Sequence, residues 1–358
     1  ELNMTSDVYF ARFDDQETPE SIAQKALATY QAAGFGELAG QGEMVALKTH
    51  FGEKGNEYYV PMEFMQPIID SIRGNGGKPF FVETSALYRG QRSNAVDHFR
   101  TAMSHGFDPG ASGCPLIFVD GLKGNYHIEV EVNLKHFDSV AVAGDFTLVP
   151  SALILTHATG HDLAGFGGAI KNVAMGLASR AGKLRQHEAG KPDVIEDKCI
   201  ACGTCARYCP VDAIEIRENA VIDHDVCIGC GQCLAVCPKN AIGFSWSESP
   251  EHFNEKMAEV AYGIMEGHAG GVGYLTYVWN VTDDCNCAGK QMDRICPDIG
   301  IVASSDPVAV DQATIDLIDR SQDRDVFGEL WPESHYDAQL SHGEAIGLGS
   351  RSYELIEV

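Results

Sequence analysis

Along the first 190 residues, apolar positions alternate between helix-spaced stripes and short continuous runs. That alternation predicts helices interleaved with buried strands. Thr18 caps and Pro19 opens the first helix, whose stripe is Ile22, Ala26, Leu27, Tyr30 and Ala33, and Gly34 ends it. Met44 to Leu47 then reads as a strand. A second helix begins near Pro61, turns Phe64, Met65, Ile68, Ile69 and Ile72 inward, and stops at Gly74 before a strand from Pro79 to Val82. Ser93 heads a third helix carrying Val96, Phe99 and Met103, followed by apolar runs at Leu116 to Val119, Val140 to Val142 and Leu153 to Leu155. Short apolar runs between helices predict an α/β fold with a mostly parallel sheet covered by helices.

The rhythm breaks between Asp197 and Phe244 and resumes with a helix near Pro250 to Glu266, strands from Val272 to Val281 and Ile299 to Ala303, and a helix from Pro307 to Arg320. The expected organisation is therefore an α/β host in two parts, residues 1–192 and 248–358, with a small α+β module inserted at 193–247. The interruption contains the clear internal repeat of the chain. At an offset of 28 residues four cysteines recur, as do Pro210 with Pro238 and Ala213-Ile214 with Ala241-Ile242.

Composition narrows the chemistry. With 26 basic and 51 acidic residues the formal net charge is −25, which repels nucleic-acid backbones and anionic lipid surfaces. Apolar runs are far shorter than the roughly 20 residues a membrane span needs, so no membrane span is expected. A cytoplasmic location is expected, although the sequence begins at Glu1 rather than Met and leaves a removed export signal open. Eight of the twelve cysteines fall between Cys199 and Cys237, a crowding that fits metal ligation rather than disulfides.

Cys199-x2-Cys202-x2-Cys205-x3-Cys209-Pro210 is followed by Cys227-x2-Cys230-x2-Cys233-x3-Cys237-Pro238. This is the bacterial two-cluster ferredoxin spacing, in which three close cysteines wrap one cubane and the fourth crosses to the other. Cys199, Cys202, Cys205 and Cys237 are expected on one 4Fe-4S cluster, and Cys209, Cys227, Cys230 and Cys233 on the second. Gly203, Gly229 and Gly231 suit loops whose amides turn toward sulfur. Structural zinc is the competing reading of paired Cys-x2-Cys, and two complete runs each ending in Pro argue against it.

Longer strings then carry a resemblance. Thr49-His50-Phe51-Gly52-Glu53-Lys54-Gly55-Asn56, Glu83 to Arg92, Asp120 to Gly124, Gly160-His161 through Gly165-Phe166-Gly167-Gly168-Ala169-Ile170-Lys171-Asn172, and Asp284-Cys285-Asn286-Cys287 through Gly300 resemble the domain of unknown function 362 family. Many of its members carry a ferredoxin module, and the likeness covers nearly the whole chain. The family is also loosely similar to the N-terminal domain of the nickel-pincer lactate racemases. The family name implies no settled reaction.

Position says more. Lys48-Thr49-His50, Glu83-Thr84, Asp120 and Thr156-His157 each follow an apolar strand, and open parallel sheets bind ligands beyond their carboxyl ends. His50, Lys54, His157, His161 and Lys171 are the expected catalytic groups, with Arg89, Gly167, Gly168 and Asn172 expected to bind a cofactor or substrate. The glycine-rich stretch is expected to let backbone approach the ligand and to bring up Lys171; it lacks the third glycine of a dinucleotide fingerprint and the Lys-Ser/Thr of a Walker loop. Taken singly, His50, His105 and His187 read as satisfied polar groups. Cys285-x-Cys287 reads either as buried reduced cysteine or as a third metal or redox site with His157 or His161 as completing ligands. Cys114 reads as structural, and Asp306 as the cap of its helix with Asp311 one turn on.

Three functions remain open. The leading one is an electron relay through two 4Fe-4S clusters to a partner redox protein with a basic docking patch or to the host domain. The second is an oxidoreductase or metal-dependent enzyme acting on an anionic small molecule at the strand ends. The third is a wiring subunit of a larger complex. The sequence sets no oligomeric state.

Overall fold

The computed structural model describes residues 5–14, 16–38, 40–88, 90–187, 191–244 and 249–358. Eight strands make one sheet: β1 (Ser6–Arg12), β2 (Met44–Lys48), β3 (Lys78–Glu83), β4 (Leu116–Phe118), β5 (Ser151–His157), β6 (Gly271–Val278), β7 (Gly300–Ser304) and β8 (Tyr353–Glu357). Their order is β8-β1-β7-β6-β5-β2-β3-β4. β7 alone is reversed, pairing antiparallel with both β1 and β6, while the other five pairings are parallel. The sheet is thus mostly parallel, as the apolar runs predict.

The helices include α1 (Pro19–Ala32), α2 (Gln66–Gly74), α3 (Ala95–Ser104), α4 (Ala169–Gly176), α5 (Arg180–His187), α6 (Pro250–Glu266) and α7 (Pro307–Gln322). Ile22, Ala26 and Tyr30 of α1 and Ile68, Ile69 and Ile72 of α2 pack with Val45, Leu47, Leu153 and Leu155 on one face. Val173 of α4, Met257, Val260 and Ile264 of α6, and Ala309 and Ala313 of α7 pack with Ala46, Ala152 and Ile154 on the other. Neighbouring residues of β2 and β5 point to opposite faces, so both faces must be apolar and the strands read as continuous apolar runs. Among the described residues no helix is long and apolar enough to cross a membrane.

The local signals mostly hold. The Thr18 hydroxyl accepts from the Ser21 amide at the start of α1, and Ser249 and Asp306 cap α6 and α7 in the same way. Three expectations need correction. Near Pro61 a single 3-10 turn, Met62–Phe64, precedes α2, which starts only at Gln66. α3 is capped by Asn94, not Ser93, and buries His98, Thr101 and Ala102 while Val96 and Phe99 are exposed. The cap shifts the helix phase by one residue, and His98 packs against Phe51 and Phe118. The apolar run at Val140 to Val142 lies outside the main sheet, in a strand Ser139–Ala143 that pairs antiparallel with His127–Glu131. β1 and β8 carry no expectation; the edge strand β8 is half-exposed and lacks an apolar run, whereas β1 beside it holds Val8-Tyr9-Phe10-Ala11, of which Val8, Phe10 and Ala11 are buried.

The interrupting segment leaves after α5 and returns before α6. Its ends meet as an antiparallel ribbon, Asp193–Val194 against Ile242–Gly243, and a second ribbon pairs Ile214–Ile216 with Ala220–Ile222. The repeat is structural. Ala201 and Gly229, Gly203 and Gly231, and Asp212 and Asn240 are pairs 28 residues apart, and all six have positive φ.

Candidate functional site

A cavity of about 470 Å³ opens beyond the carboxyl ends of β2, β3 and β5. Its lining comes from Lys48 and His50 after β2, Glu83 to Leu87 after β3, Thr156 and His157 ending β5, and Lys171 and Asn172 of α4. Lys183 and His187 of α5, with Cys285 and Cys287, complete it. The strand-end rule therefore locates the site, since each parallel strand delivers its first polar residues to the same rim.

At the floor lies a buried charge network. Lys48 Nζ is 2.9 Å from Glu83 Oε1 and donates to Asn172 Oδ1 at 2.8 Å. Arg92 Nε donates to Glu53 Oε2 at 3.1 Å, and its Nη2 to the Tyr88 hydroxyl at 2.5 Å. Burial alone raises the Glu83 carboxyl, but Lys48, His50, Lys183 and Arg92 together bring it below its ordinary value. Burial lowers Lys48 despite Glu83, so the carboxylate gains from the pair while the ammonium bears its desolvation. Lys183 donates to Thr84 Oγ1 at 2.7 Å and is lowered to about 8 by burial.

Above the floor sit the histidines and thiols. The Gly52 amide donates to His50 Nδ1 at 3.0 Å, and Arg92 Nη1 lies 2.9 Å from Nε2. Burial and then Arg92 hold this ring neutral. His157 donates from Nε2 to the Trp279 carbonyl at 2.8 Å, leaving Nδ1 to accept from Asn286 Nδ2 at 3.0 Å. Both of its nitrogens are spent on structure. His161 differs, because its Nδ1 accepts from the Leu163 and Ala164 amides at 3.1 and 3.0 Å. The proton of the neutral ring is therefore on Nε2, and burial beside Lys171 keeps the ring neutral.

Cys287 Sγ is 3.5 Å from His50 Nε2. The Cys285 thiol donates to Cys287, and with His50 and Lys171 this pulls Cys287 far below the ordinary thiol value against the effect of burial. Cys285 is pushed up by the same contact. Lys171 stays charged, since Cys285, Cys287 and Asp284 outweigh its burial.

The structure brings several of the expected residues together. His50, His161, Lys171, Gly167, Gly168 and Asn172 all line the cavity, and His157 lines it as a positioning group. Lys54 does not; it is exposed in the turn after Glu53. Arg89 lies outside the described residues. Gly168 answers to Asp311, whose carboxylate accepts from the Ala169 and Ile170 amides at 2.6 and 2.9 Å, and a Cβ on Gly168 would lie 2.2 Å from Asp311 Oδ1. The α4 N-terminus is thus closed by protein rather than open to a ligand. Burial raises that capping carboxyl to about 7. His105 is structural, stacked on Tyr59 and bonded to the Phe51 carbonyl. His187 instead lines the cavity, held at about 3 by burial.

Among the described residues, no three His, Cys, Asp or Glu side chains converge as a single metal ion requires. Cys285 and Cys287 thus lack, among those residues, the third ligand that the expected metal site needs. A cubane asks for something else, one thiolate per iron spread round a box. One small cavity of the insert is lined by Cys199, Cys202, Cys205 and Cys237, and another by Cys209, Cys227, Cys230 and Cys233. The amides of Ala220, Ala213 and Ala241 donate to the sulfurs of Cys199, Cys209 and Cys237 at 3.4, 3.2 and 3.1 Å. The donor set fits two cubanes. Sequence reasoning did not single out Arg92, Lys183 or Leu87; a polar helix leading straight into the cysteine segment was the available signal for Lys183.

Among solved structures the chain is similar to a Thermotoga maritima protein, with TM-score 0.47, 10% identity, and coverage of 87% of this chain and 60% of that one. It is also similar to the lactate racemase apoprotein of Thermoanaerobacterium thermosaccharolyticum, with TM-score 0.44, 10% identity, and coverage of 85% and 55%. The chain therefore spans little more than half the length of either. No curated protein matches it. The model of the domain of unknown function (DUF362) matches residues 45–316, and the chain belongs to that family.

Proposed function

We propose that this protein binds two 4Fe-4S clusters in its insert and passes single electrons from a redox partner to an anionic small molecule held in the strand-end cavity. When bound, the clusters supply one-electron transfer at low potential. Cys199, Cys202, Cys205 and Cys237 would hold one, and Cys209, Cys227, Cys230 and Cys233 the other. The observation that carries the link to the cavity is Leu87. It lines the cavity and belongs to the same apolar cluster as Cys205, Cys233 and Cys237, so that cluster runs from the cysteines to the cavity wall.

The cavity residues favour an anion. Lys48, Arg92, Lys171 and Lys183 face Glu83, Asp162 and the Cys287 thiolate, four positive groups against three negative ones inside a chain of charge −25. Lys48 and Arg92 are engaged by carboxylates and Lys183 by Thr84 and the Ser85 carbonyl. Lys171, paired with the neutral Cys285 thiol rather than with a carboxylate, and the His161 Nε2–H can receive a substrate oxygen, and the neutral imidazole can hand over a proton as charge arrives. Removal from water makes both interactions stronger. The acidic exterior suits a donor with a basic docking patch, which governs rate and selectivity more than affinity.

Cys287 provides the test. With the cluster ligands protected and Cys114 and Cys296 both buried and raised to about 12, a thiol-reactive nitroxide should label Cys287 selectively at neutral pH. Reducing the anaerobic protein is expected to speed the electron-spin relaxation of that label, and Cys287→Ser removes the signal. Relaxation unchanged by reduction would mean the cavity is out of the clusters' reach, leaving the wiring-subunit reading.

A further inference from the structure

Arg180 is among the largest wholly buried side chains of the protein, 0% exposed. It opens α5, the helix that also carries the cavity residues Lys183 and His187. Its Nη2 donates to the Ser93 carbonyl at 2.6 Å, while Nε and Nη1 have no hydrogen-bond partner. Leaving three N–H bonds of a buried cation unpaired, one on Nε and two on Nη1, is costly, so a negative group nearby should compensate the charge. Two glycines show which way the side chain lies. A Cβ on Gly231, between Cys230 and Cys233, would stand 3.1 and 3.2 Å from Arg180 Cγ and Cδ. A Cβ on Gly124 would stand 3.2 Å from Arg180 Nε and 3.0 Å from Asp120 Oδ2. The stem of Arg180 thus packs on the Cys230–Cys233 loop while Nε lies toward Asp120, and among the described residues no ion pair closes the guanidinium.

We propose that Arg180, its stem packed on the Cys230–Cys233 loop, holds a buried positive charge beside the cluster of Cys209, Cys227, Cys230 and Cys233, and so makes that cluster the easier of the two to reduce. This rests on the two-cluster reading of the insert. Reduction adds one negative charge, and a fixed buried cation nearby stabilises the more negative state. Asp120 acts in the opposite sense and limits the effect. Exposure does not separate the two sets, since each is flanked by an exposed isoleucine, Ile200 at 59% and Ile228 at 53%. The Arg180 charge does separate them, and it biases electrons toward the cluster beside α5, the helix that carries Lys183 and His187 to the cavity.

The test is a potentiometric titration followed by electron paramagnetic resonance, on anaerobic wild-type protein and on Arg180→Met and Arg180→Lys. With the iron content unchanged, Arg180→Met should shift the reduction equilibrium of one cluster at least tenfold toward the oxidised form, about 59 mV for a one-electron couple. The other cluster should stay where it was. Arg180→Lys keeps the charge but loses the planar donors, and a smaller shift of the same cluster is expected. Equal shifts of both clusters, or none in either variant, would overturn the proposal while leaving the two-cluster reading intact. Should Arg180→Met fail to load iron, the Arg180→Lys titration alone decides. Wild-type protein without two clusters would instead defeat the reading on which the proposal rests.

Discussion

The double variant Cys202→Ala/Cys237→Ala is expected to keep about half of its iron, whereas Cys202→Ala/Cys209→Ala is expected to lose nearly all of it. The difference follows from crossing. Cys202 and Cys237 come from different repeats yet line one cavity, while Cys202 and Cys209 come from the same repeat and line different ones. If each repeat instead bound its own cluster, the two outcomes would be exchanged. The Cys202→Ala/Cys237→Ala variant should also retain the spin coupling between the Cys287 label and the remaining cluster, because Cys233 shares an apolar cluster with the cavity residue Leu87 and its loop meets α5 where Gly231 packs on the Arg180 stem. Iron determination after anaerobic isolation reads the first result directly.

Glu83→Gln is expected to cost about 3–5 kcal/mol of stability, the range for removing one partner of a buried ion pair. Glu83 is 4% exposed and Lys48 only 1%, so solvent cannot replace the lost charge. Lys48 would keep Asn172 Oδ1 and the Thr49 carbonyl as acceptors but no countercharge, and Arg92 would lose a carboxylate 4.0 Å away. The pH dependence fixes the sign. Because the folded Glu83 carboxyl lies below its ordinary value, its contribution is complete above the unfolded value of about 4.3 and is lost as pH falls through the folded one. The stability gap between wild type and Glu83→Gln should therefore be constant near neutrality and close in acid. Anaerobic chemical denaturation at a series of pH values measures it, and a variant as stable as wild type at pH 7 would show that Glu83 is not the countercharge of the floor.

Much of the site was legible because open parallel sheets send each strand's first polar residue to one rim. Lys48, Glu83 and His157 could be placed that way from apolar runs alone. What those residues bond to could not. Arg92 reaches back 39 positions to Glu53, and Asp311 reaches 142 to Ala169, distances that no local pattern encodes. The glycines at 167 and 168 looked like a ligand cradle, yet Gly168 makes room for the Asp311 cap. His157 and His161 follow the same strand and appeared equivalent; backbone amides and a carbonyl, invisible in sequence, spend both nitrogens of one and leave the other's Nε2–H free for the cavity. Helix α5 was missed for a related reason. Arg-Ala-Gly-Lys-Leu-Arg-Gln-His reads as a solvated segment, but Arg180, Lys183 and Gln186 are all buried, because α6 and the strand Ser139–Ala143 pack on it and Gly231 of the insert meets Arg180. By contrast the doubled cysteine spacing needed no tertiary information. Ligand order along the chain already contains the crossing.

Iron and acid-labile sulfide per chain, measured on protein isolated without oxygen, test the central claim most directly. About eight of each, with visible absorption that bleaches on reduction, is the predicted result. Zinc in place of iron, or iron without stoichiometric sulfide, would contradict it.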